Sequence, residues 1–203
     1  MSAKLIEGVF PATAMPDSEW WGTLWPEPAR VLEKLGIRAG LDVIDLCCGD
    51  GLFTEALARM SRRVAAIDID PRMLNLAQAR VAAAGAGNCA FIEGDAYEVT
   101  KLVPWPADVV LIANTFHGVP DKTRLATAVA AVLRPRGQFI VINWHRLPRE
   151  ETVVLGEPRG PRTEMRMTPE DVAAAVEATS LKLSRLVDLP PYHYGAVFEK
   201  RGL

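Results

Sequence analysis

The sequence is short of the features that mark several classes of protein. It has three cysteines in 203 residues, two of them adjacent, which argues against a disulfide scaffold and predicts a reduced, cytoplasmic setting. No apolar run approaches the ~20 residues that span a bilayer, and residues 1–10 lack a signal-like apolar core. The formal net charge of −2 excludes an overall basic field that would attract nucleic acid or anionic lipid. What remains is an ordinary globular composition, long enough for one domain with a real core.

Apolar runs alternate with helical patterns along most of the chain. Helical spacing is present over 26–36, and further helices are predicted to begin at Asp70-Pro71, at Asp121 and at Thr168-Pro169. Strands that alternate with helices imply right-handed crossovers, so we expect a doubly wound α/β fold with helices on both faces of a mostly parallel, seven-stranded sheet. The last two runs predict a hairpin-like pair whose final strand is antiparallel. The predicted strands are 42–46, 63–67, 89–92, 108–113, 138–144, 181–187 and 194–199.

Two stretches fall outside this alternation. Residues 1–25 are rich in proline, small residues and tryptophan, and we expect an N-terminal arm or lid; residues 26–203 would then form the ligand-binding domain. Residues 146–167 hold three prolines, two glycines, five arginines and four glutamates, and they are too long for a plain connector. We expect a loop or lid insertion whose arginines are solvated and offset by its glutamates; an anion-binding role for them is the alternative.

The most informative stretch is residues 43–51, Val-Ile-Asp-Leu-Cys-Cys-Gly-Asp-Gly. An apolar run ends in Asp45, and a Gly-x-Gly turn then leads into a helical stretch, which brings backbone N–H groups close to a ligand at the end of a buried strand. Asp68 ends the next apolar run and can accept hydrogen bonds from a ribose diol. Asp95 follows the run after that and can accept from an exocyclic amine or from its own loop. Three strand ends, each finished by an acid, predict a nucleoside-sized pocket.

The charge around the turn favours a cationic ligand. Gly49 and Gly51 at the start of a helix suit a carboxylate or a phosphate equally. A nicotinamide-cofactor fingerprint would have a third glycine where Thr54 stands, and Asp45 and Asp50 flank the turn with negative charge. The ligand is therefore better interpreted as a cationic amino-acid nucleoside than as a pyrophosphate, and S-adenosylmethionine has that pattern.

Four motifs follow one another along the chain: Asp-Leu-Cys-Cys-Gly-Asp-Gly (45–51), Ile-Asp-Ile-Asp-Pro-Arg-Met-Leu (67–74), Glu-Gly-Asp-Ala (93–96) and Leu-Arg-Pro-Arg-Gly (133–137). In these motifs and their spacing the chain resembles the class I S-adenosylmethionine-dependent methyltransferases, in the small-molecule group that includes enzymes of ubiquinone and menaquinone biosynthesis. The resemblance covers residues 26–200. It implies a Rossmann-like fold and S-adenosylmethionine as the cofactor.

The resemblance also implies roles for the pocket residues. Cys47 stands where the family has its first motif glycine, and a thiol is small enough to keep the turn. The methionine portion of the cofactor would lie against the turn and near Asn114, the ribose on Asp68, and the adenine between the residues that follow the second and third strands. The implied cofactor residues are Asp45, Cys47, Gly49, Asp50, Gly51, Asp68, Ile69, Met73, Asp95, Ala96 and Asn114.

Candidate catalytic groups lie just beyond the predicted strand ends. Methyl transfer to a phenol or an activated carbon requires a base. His117 is the first candidate, with a structural loop histidine as the equal alternative; His145 is the second candidate and His193 a weaker one. Aromatic side chains are expected to exclude water and to face the cationic methyl group. The predicted substrate contacts are Trp21, Phe116, Trp144 and Tyr194.

The expected function is methyl transfer to a small organic acceptor, with no metal, no nucleic-acid partner and no membrane span. Asn114-Thr115-Phe116-His117 replaces the Asn/Asp-Pro-Pro-aromatic motif of nucleic-acid amino methylases, and no Pro-Cys nucleophile occurs. The Cys47-Cys48 pair lacks the Cys-x-x-Cys spacing of a metal site. Three alternatives stay open: a methyltransferase acting on protein or RNA, a non-catalytic nucleotide-binding regulator of the same fold, and an NAD-type oxidoreductase.

Overall fold

A seven-stranded sheet organises residues 9–202, the part of the chain that this computed structural model describes. Its strand order is β3-β2-β1-β4-β5-β9-β8. The first five of these strands run parallel, whereas β9 is antiparallel to both of its neighbours, β5 and β8. The expected mostly parallel sheet with an antiparallel last strand is therefore confirmed. The strands are β1 (Asp42–Leu46), β2 (Arg63–Asp68), β3 (Cys89–Glu93), β4 (Ala107–Ala113), β5 (Leu133–Trp144), β6 (Val153–Val154), β7 (Glu157–Pro158), β8 (Leu181–Leu189) and β9 (His193–Lys200).

Both faces of the sheet are buried, which explains why its central strands are continuous apolar runs rather than alternating ones. On β1, Ile44 and Leu46 belong to one core cluster and Val43 to the other, because successive side chains of a strand point to opposite faces. Helices α6 and α7 cover the first face, and α1, α2 and α3 cover the second. The helices are α1 (Ser18–Leu24), α2 (Pro28–Lys34), α3 (Leu52–Met60), α4 (Pro71–Ala83), α5 (Val99–Leu102), α6 (Lys122–Val132) and α7 (Pro169–Glu177).

The three predicted helix starts are confirmed by their caps. The side chain of Asp70 accepts a hydrogen bond from the Arg72 backbone N–H at the start of α4, and Asp121 caps α6 in the same way. Thr168 and Asp171 form a reciprocal capping box at the start of α7. These local signals set where each crossover helix begins, and so where the loops at the carboxyl edge of the sheet lie.

The N-terminal stretch packs on the second face through its tryptophans. Trp25 meets Phe53 of α3 with ring centroids 5.2 Å apart, and Trp20 and Trp21 are buried beside it. The part of the expected arm in residues 1–8 lies outside the described residues. Within residues 9–202, no helix is long and apolar enough to cross a membrane.

The stretch 146–167 is a folded insertion that holds the β6–β7 hairpin. The expectation that its arginines are all solvated is wrong for Arg166, which is buried. The Arg166 guanidinium donates to the carbonyl oxygens of Pro161 and Arg159 and to the hydroxyl of Thr152. A buried guanidinium with several acceptors fixes the path of the insertion, because each donor left without a partner would destabilise the fold.

Candidate functional site

A cavity of about 940 Å³ opens at the carboxyl ends of β1, β2 and β4. In the strand order, β1 lies between β2 and β4, so the crossovers leave it in opposite directions. Such a switch point is where open α/β sheets bind ligands, because the loops on either side separate and leave a crevice. The turn after β1 lines the cavity together with the arm residues 9, 10 and 12–16 and part of the insertion, residues 159–162.

The turn after β1 is built from left-handed backbone. Cys47, Gly49 and Gly51 have φ of 60°, 55° and 84°. A Cβ on Gly49 would lie 2.9 Å from the sulfur of Met15, so the arm packs directly on bare backbone. A Cβ on Gly51 would lie 2.6 Å from the Ala77 Cα, which shows that Gly51 lets α3 begin against α4. Gly51 is not among the residues that line the cavity, and the structure gives it a packing role; its contact with the cofactor stays a prediction.

Asp68, at the end of β2, is tied to two neighbouring turns. One carboxylate oxygen accepts from the Gly49 N–H and the other from the Asp70 N–H, both at 2.9 Å. Burial raises the pKa of Asp68, and these backbone donors oppose the rise. Each carboxylate oxygen has a second lone-pair direction, so the side chain can still accept from a ligand at the cavity wall.

Asp45 is almost completely buried at the end of β1. It accepts a hydrogen bond from the hydroxyl of Thr54 at 2.6 Å. Burial, followed by the charge of Asp68, raises the pKa of Asp45 to about 7, although the Thr54 hydrogen bond acts in the opposite direction. In the sequence, Thr54 stands out only as the residue at the position of a third glycine. Its burial and its hydrogen bond to Asp45 depend on α3 folding back over the end of β1.

Asp50 lines the cavity, but its carboxylate is already engaged. One oxygen accepts from the Leu52 N–H at 3.2 Å and the other pairs with Arg80 of α4 at 2.6 Å. The pairing ties the turn to α4. Asp50 therefore stabilises the shape of the turn through contacts that need no ligand.

The residues that the resemblance assigns to the adenine come together at one end of the cavity. Ile69 and Met73 line it from the start of α4, and Asp95 and Ala96 line it after β3. Asp95 is exposed, and its carboxylate accepts a hydrogen bond from the Tyr97 backbone at 2.9 Å. Apolar side chains beside a partly free carboxylate suit a flat ring with an exocyclic amine.

Asn114, just after β4, carries the clearest sign of a missing partner. Its backbone is left-handed, with φ of 58°, and its N–H donates to the Ile142 carbonyl. Both polar atoms of its side-chain amide are buried, and neither has a hydrogen-bond partner among the described residues. Because buried amides are nearly always hydrogen-bonded, an orphaned one at a cavity wall marks a position for a ligand or water.

His117 lines the cavity in the short turn after β4 and is buried. Its Nε2 lies 3.2 Å from the Ala12 carbonyl oxygen, which can only accept, so Nε2 carries the proton in the neutral ring. Nδ1 is buried and has no hydrogen-bond partner among the described residues. Burial lowers the pKa of His117, and the Ala12 carbonyl, which accepts from the ring, opposes this shift. The ring is therefore neutral near pH 7, with its lone pair on Nδ1.

Four of the remaining predicted aromatic and histidine residues are not among those that line the cavity, so their roles in the reaction stay predictions. His145 points away and lies 3.2 Å from the Asp188 carboxylate. Phe116 is fully buried in the first core cluster, and the Tyr194 hydroxyl donates to the Met167 carbonyl. His193 is buried between the rings of two tryptophans, at 4.1 Å from one of them, Trp144.

Other aromatic and basic residues do line the cavity. Trp20 and Trp21 of α1 and Trp144 at the end of β5 line it. Arg149, Arg159 and Arg162 of the insertion line it as well, whereas the sequence predicts solvated arginines there. The cavity wall therefore combines buried acids, aromatic rings and guanidinium groups.

Known proteins with similar sequences or folds agree with this arrangement. A family profile described as a methyltransferase domain matches residues 43–137. The chain is 28% identical over 141 residues to a ubiquinone biosynthesis O-methyltransferase of Xanthomonas euvesicatoria, covering 64% of this chain and 58% of that protein. It is 29% identical over 117 residues to a demethylmenaquinone methyltransferase of Lactococcus lactis, covering 56% of this chain and 46% of that one. The chain thus spans about half the length of these relatives.

Among solved structures, a SAM-dependent methyltransferase from Aquifex aeolicus superposes with a TM-score of 0.73 at 23% identity, covering 86% of this chain and 89% of that one. That likeness concerns the fold. The profile match covers β1 to the start of β5, the segment that builds the turn, the acids and Asn114. By profile, relatives and fold together, the chain is similar to the class I S-adenosylmethionine-dependent methyltransferases.

Proposed function

We propose that this protein transfers a methyl group from S-adenosylmethionine to a small organic acceptor. The observation that carries the proposal is the cavity at the switch point, where buried acids and the orphaned amide of Asn114 lie beside a neutral His117. The relatives named for quinone biosynthesis support a small acceptor.

The residues present fit the cofactor. Asn114 offers an amide with no partner, and the left-handed turn leaves bare backbone at Gly49. Asp45 supplies negative charge toward the ligand's ammonium, and Asp68 supplies acceptor oxygens toward its ribose. The same two carboxylates would repel a pyrophosphate. In this proposal Asp68 holds the ribose, Ile69 and Met73 flank the adenine, and Cys47, Gly49 and Asn114 hold the methionine portion.

S-adenosylmethionine supplies, when bound, a methyl carbon that the acceptor's lone pair takes as the carbon–sulfur bond breaks, leaving S-adenosylhomocysteine. The role of the protein is to orient the two reactants and to remove a proton from an acceptor that must lose one. His117 suits the second task, because the Ala12 carbonyl fixes the Nε2–H tautomer and leaves the Nδ1 lone pair to accept that proton. Trp21 and Trp144 exclude water from the same space.

The first test is ligand preference. Titration calorimetry should find that the protein binds S-adenosylhomocysteine and binds NADH far more weakly, since the turn is flanked by acids and lacks a third glycine. A preference for NADH would overturn the proposed function and favour the alternative of an NAD-type oxidoreductase.

The second test concerns the base. Radiolabelled S-adenosylmethionine would be offered with a panel of phenols, and the best acceptor used to compare His117→Gln with wild type. We expect turnover to fall about 100-fold or more while affinity for S-adenosylhomocysteine stays within about twofold. His145→Gln is the matched control, because that ring pairs with Asp188 outside the cavity. Full turnover in His117→Gln would make the histidine structural.

Two further expectations remain proposals. Residues 1–25 act as a lid, which is supported by the arm residues 9, 10 and 12–16 at the cavity wall and by the contact of Ala12 with His117. The cytoplasm is the proposed compartment, which is supported by the free state of all three cysteines.

A further inference from the structure

We propose that the acceptor carries a carboxylate, which Arg159 and Arg149 bind at the end of the cavity formed by the insertion. The inference rests on the proposed function and names the substrate class for it: an apolar or aromatic carboxylic acid whose other end offers the nucleophile. Nothing in the four family motifs assigns these arginines, because they lie in residues 146–167, beyond the matched segment.

The cavity has acidic and basic walls that come from different parts of the fold. Asp45, Asp68 and Asp95 follow β1, β2 and β3, which lie on one side of the sheet. Arg149 and Arg159 follow β5, which lies beyond β4 on the other side. A cationic nucleoside is attracted to the acidic wall and an anion to the basic one, so the two reactants are sorted by charge.

Arg159 has charge and donors that no described residue uses. Its Nε is buried and has no hydrogen-bond partner, and no carboxylate of residues 9–202 lies within ion-pair distance of its guanidinium. The guanidinium lies over the ring of Trp20, whose centroid is 5.4 Å from the Arg159 Cζ. A guanidinium prefers a bidentate acceptor, and a carboxylate matches its fork.

Arg149 increases the positive charge at the same wall. Its Nε donates to the Gly160 carbonyl at 3.1 Å, and within residues 9–202 it also has no acidic partner at ion-pair distance. Burial and then the charge of Arg149 lower the pKa of buried Arg166, and the charge of Glu150 opposes this shift, so the two arginines repel each other with only one nearby acid to offset it. A bound carboxylate would relieve that repulsion.

The arginines are held in place rather than free on the surface. Gly160, with φ of 86°, lets the insertion pass the ring of Trp144, where a Cβ would lie 2.9 Å from the ring carbons. Arg166 holds the same segment of the insertion by donating hydrogen bonds to the Pro161 and Arg159 carbonyls. The exposed Arg146 nearby is paired with Asp171. The unpaired positive charge of the insertion therefore lies at the cavity. It does not form an open basic face of the kind that binds RNA.

The test compares acids with their neutral amides on protein saturated with S-adenosylhomocysteine. The probe pairs are benzoate with benzamide, salicylate with salicylamide, and cinnamate with cinnamamide, titrated by calorimetry. At least one acid should bind about tenfold or more tightly than its amide. Arg159→Met should remove that preference, Arg159→Lys should keep part of it, and both should leave the affinity for S-adenosylhomocysteine within about twofold of wild type.

Arg146→Met is the matched control, because it removes an exposed arginine of the same insertion that pairs with Asp171. It should keep the full preference for the acid, and thermal unfolding should confirm that each variant is folded. Equal binding of every acid and amide would overturn the inference while leaving the proposed function intact. So would an Arg159→Met variant that loses S-adenosylhomocysteine affinity, since the arginine would then hold the cofactor's own carboxylate. Failure of wild type to bind S-adenosylhomocysteine at all would overturn both.

Discussion

The carboxylate of Asp68 accepts a hydrogen bond from the backbone N–H of Gly49 at 2.9 Å, which joins the end of β2 to the turn after β1. The same carboxylate accepts from the Asp70 N–H, where α4 begins. One side chain therefore holds two turns that border the cavity. In the proposed function it also meets the ribose, so its loss affects both the shape of the site and a direct contact.

Replacing Asp68 should therefore weaken cofactor binding. Asp68→Asn keeps one acceptor oxygen but loses the charge, and we expect the binding free energy of S-adenosylhomocysteine to fall by about 1–3 kcal/mol. Calorimetry gives the affinity, and thermal unfolding separates it from stability. Asp121→Asn is the control, because Asp121 also accepts a backbone N–H, from Arg124, but caps α6 outside the cavity. Equal affinities in Asp68→Asn and wild type would contradict the ribose assignment.

Asp45 should make cofactor binding depend on pH. Burial and the charge of Asp68 raise the pKa of Asp45 to about 7, so the side chain is partly protonated at neutral pH. The ammonium of the ligand favours the ionised form, so binding lowers this pKa and releases a proton. Affinity should therefore rise as the pH increases through about 7 and fall below it.

Calorimetry of S-adenosylhomocysteine from about pH 6 to about pH 8, in buffers of different ionisation enthalpy, measures both the affinity and the proton release. Asp45→Asn should flatten the profile, since an amide does not titrate. A variant that keeps the full slope would move the titration to another group, such as His117.

Much of this arrangement follows from the sequence because it is set locally. The strands are apolar runs bounded by turn residues, and an acid that ends a parallel strand must lie at the carboxyl edge of the sheet. Asp45, Asp68 and Asn114 could be placed for that reason. Side chains alternate between the two sides of an extended chain, which argues against one pair of predicted site residues. Trp144 and His145 are neighbours, so their side chains point to opposite sides and cannot both face one cavity.

Other features could not be derived from local patterns. The burial of Arg166 depends on carbonyls that the insertion turns toward it, and the packing role of Gly51 depends on how closely α4 approaches α3. The orphaned Nε of Arg159 is likewise a property of the folded insertion. In each case, the deciding partner is distant along the chain or is placed by a turn with no regular period.

At the opposite edge of the sheet, Asp42 should contribute to stability. It is fully buried and accepts hydrogen bonds from Arg62, Arg63 and Arg134. Burial acts to raise the pKa of Asp42, but the bonds from these arginines outweigh it and hold the pKa below its ordinary value. A folded pKa below the unfolded one means that this stability is present above about pH 4 and is lost as the pH falls further.

We expect Asp42→Asn to lower the free energy of unfolding by about 1–3 kcal/mol at pH 7, because the amide has no charge to attract the three guanidinium groups and only one oxygen to accept from them. Urea unfolding at pH 7 and at about pH 2.5 measures the loss, which should shrink at the lower pH. Asp188→Asn removes a mostly exposed carboxylate paired with His145 and should change stability by less than about 0.5 kcal/mol. Equal effects of the two substitutions would contradict a structural role for the arginine cluster.

Gly118 offers a way to move the arm without touching the cofactor residues. A Cβ at this position would lie 2.2 Å from the Pro11 carbonyl oxygen and 2.5 Å from the Thr13 Cγ2, so Gly118→Ala must displace the arm. Because the Ala12 carbonyl fixes the tautomer of His117, turnover should fall about tenfold or more, with faster hydrogen exchange over residues 11–16. Gly22→Ala is the control: its Cβ meets no atom within 4 Å, so it should leave exchange and turnover unchanged. If Gly118→Ala keeps wild-type exchange and turnover, the arm does not position the base, and His117 must be oriented by the sheet side of the cavity alone.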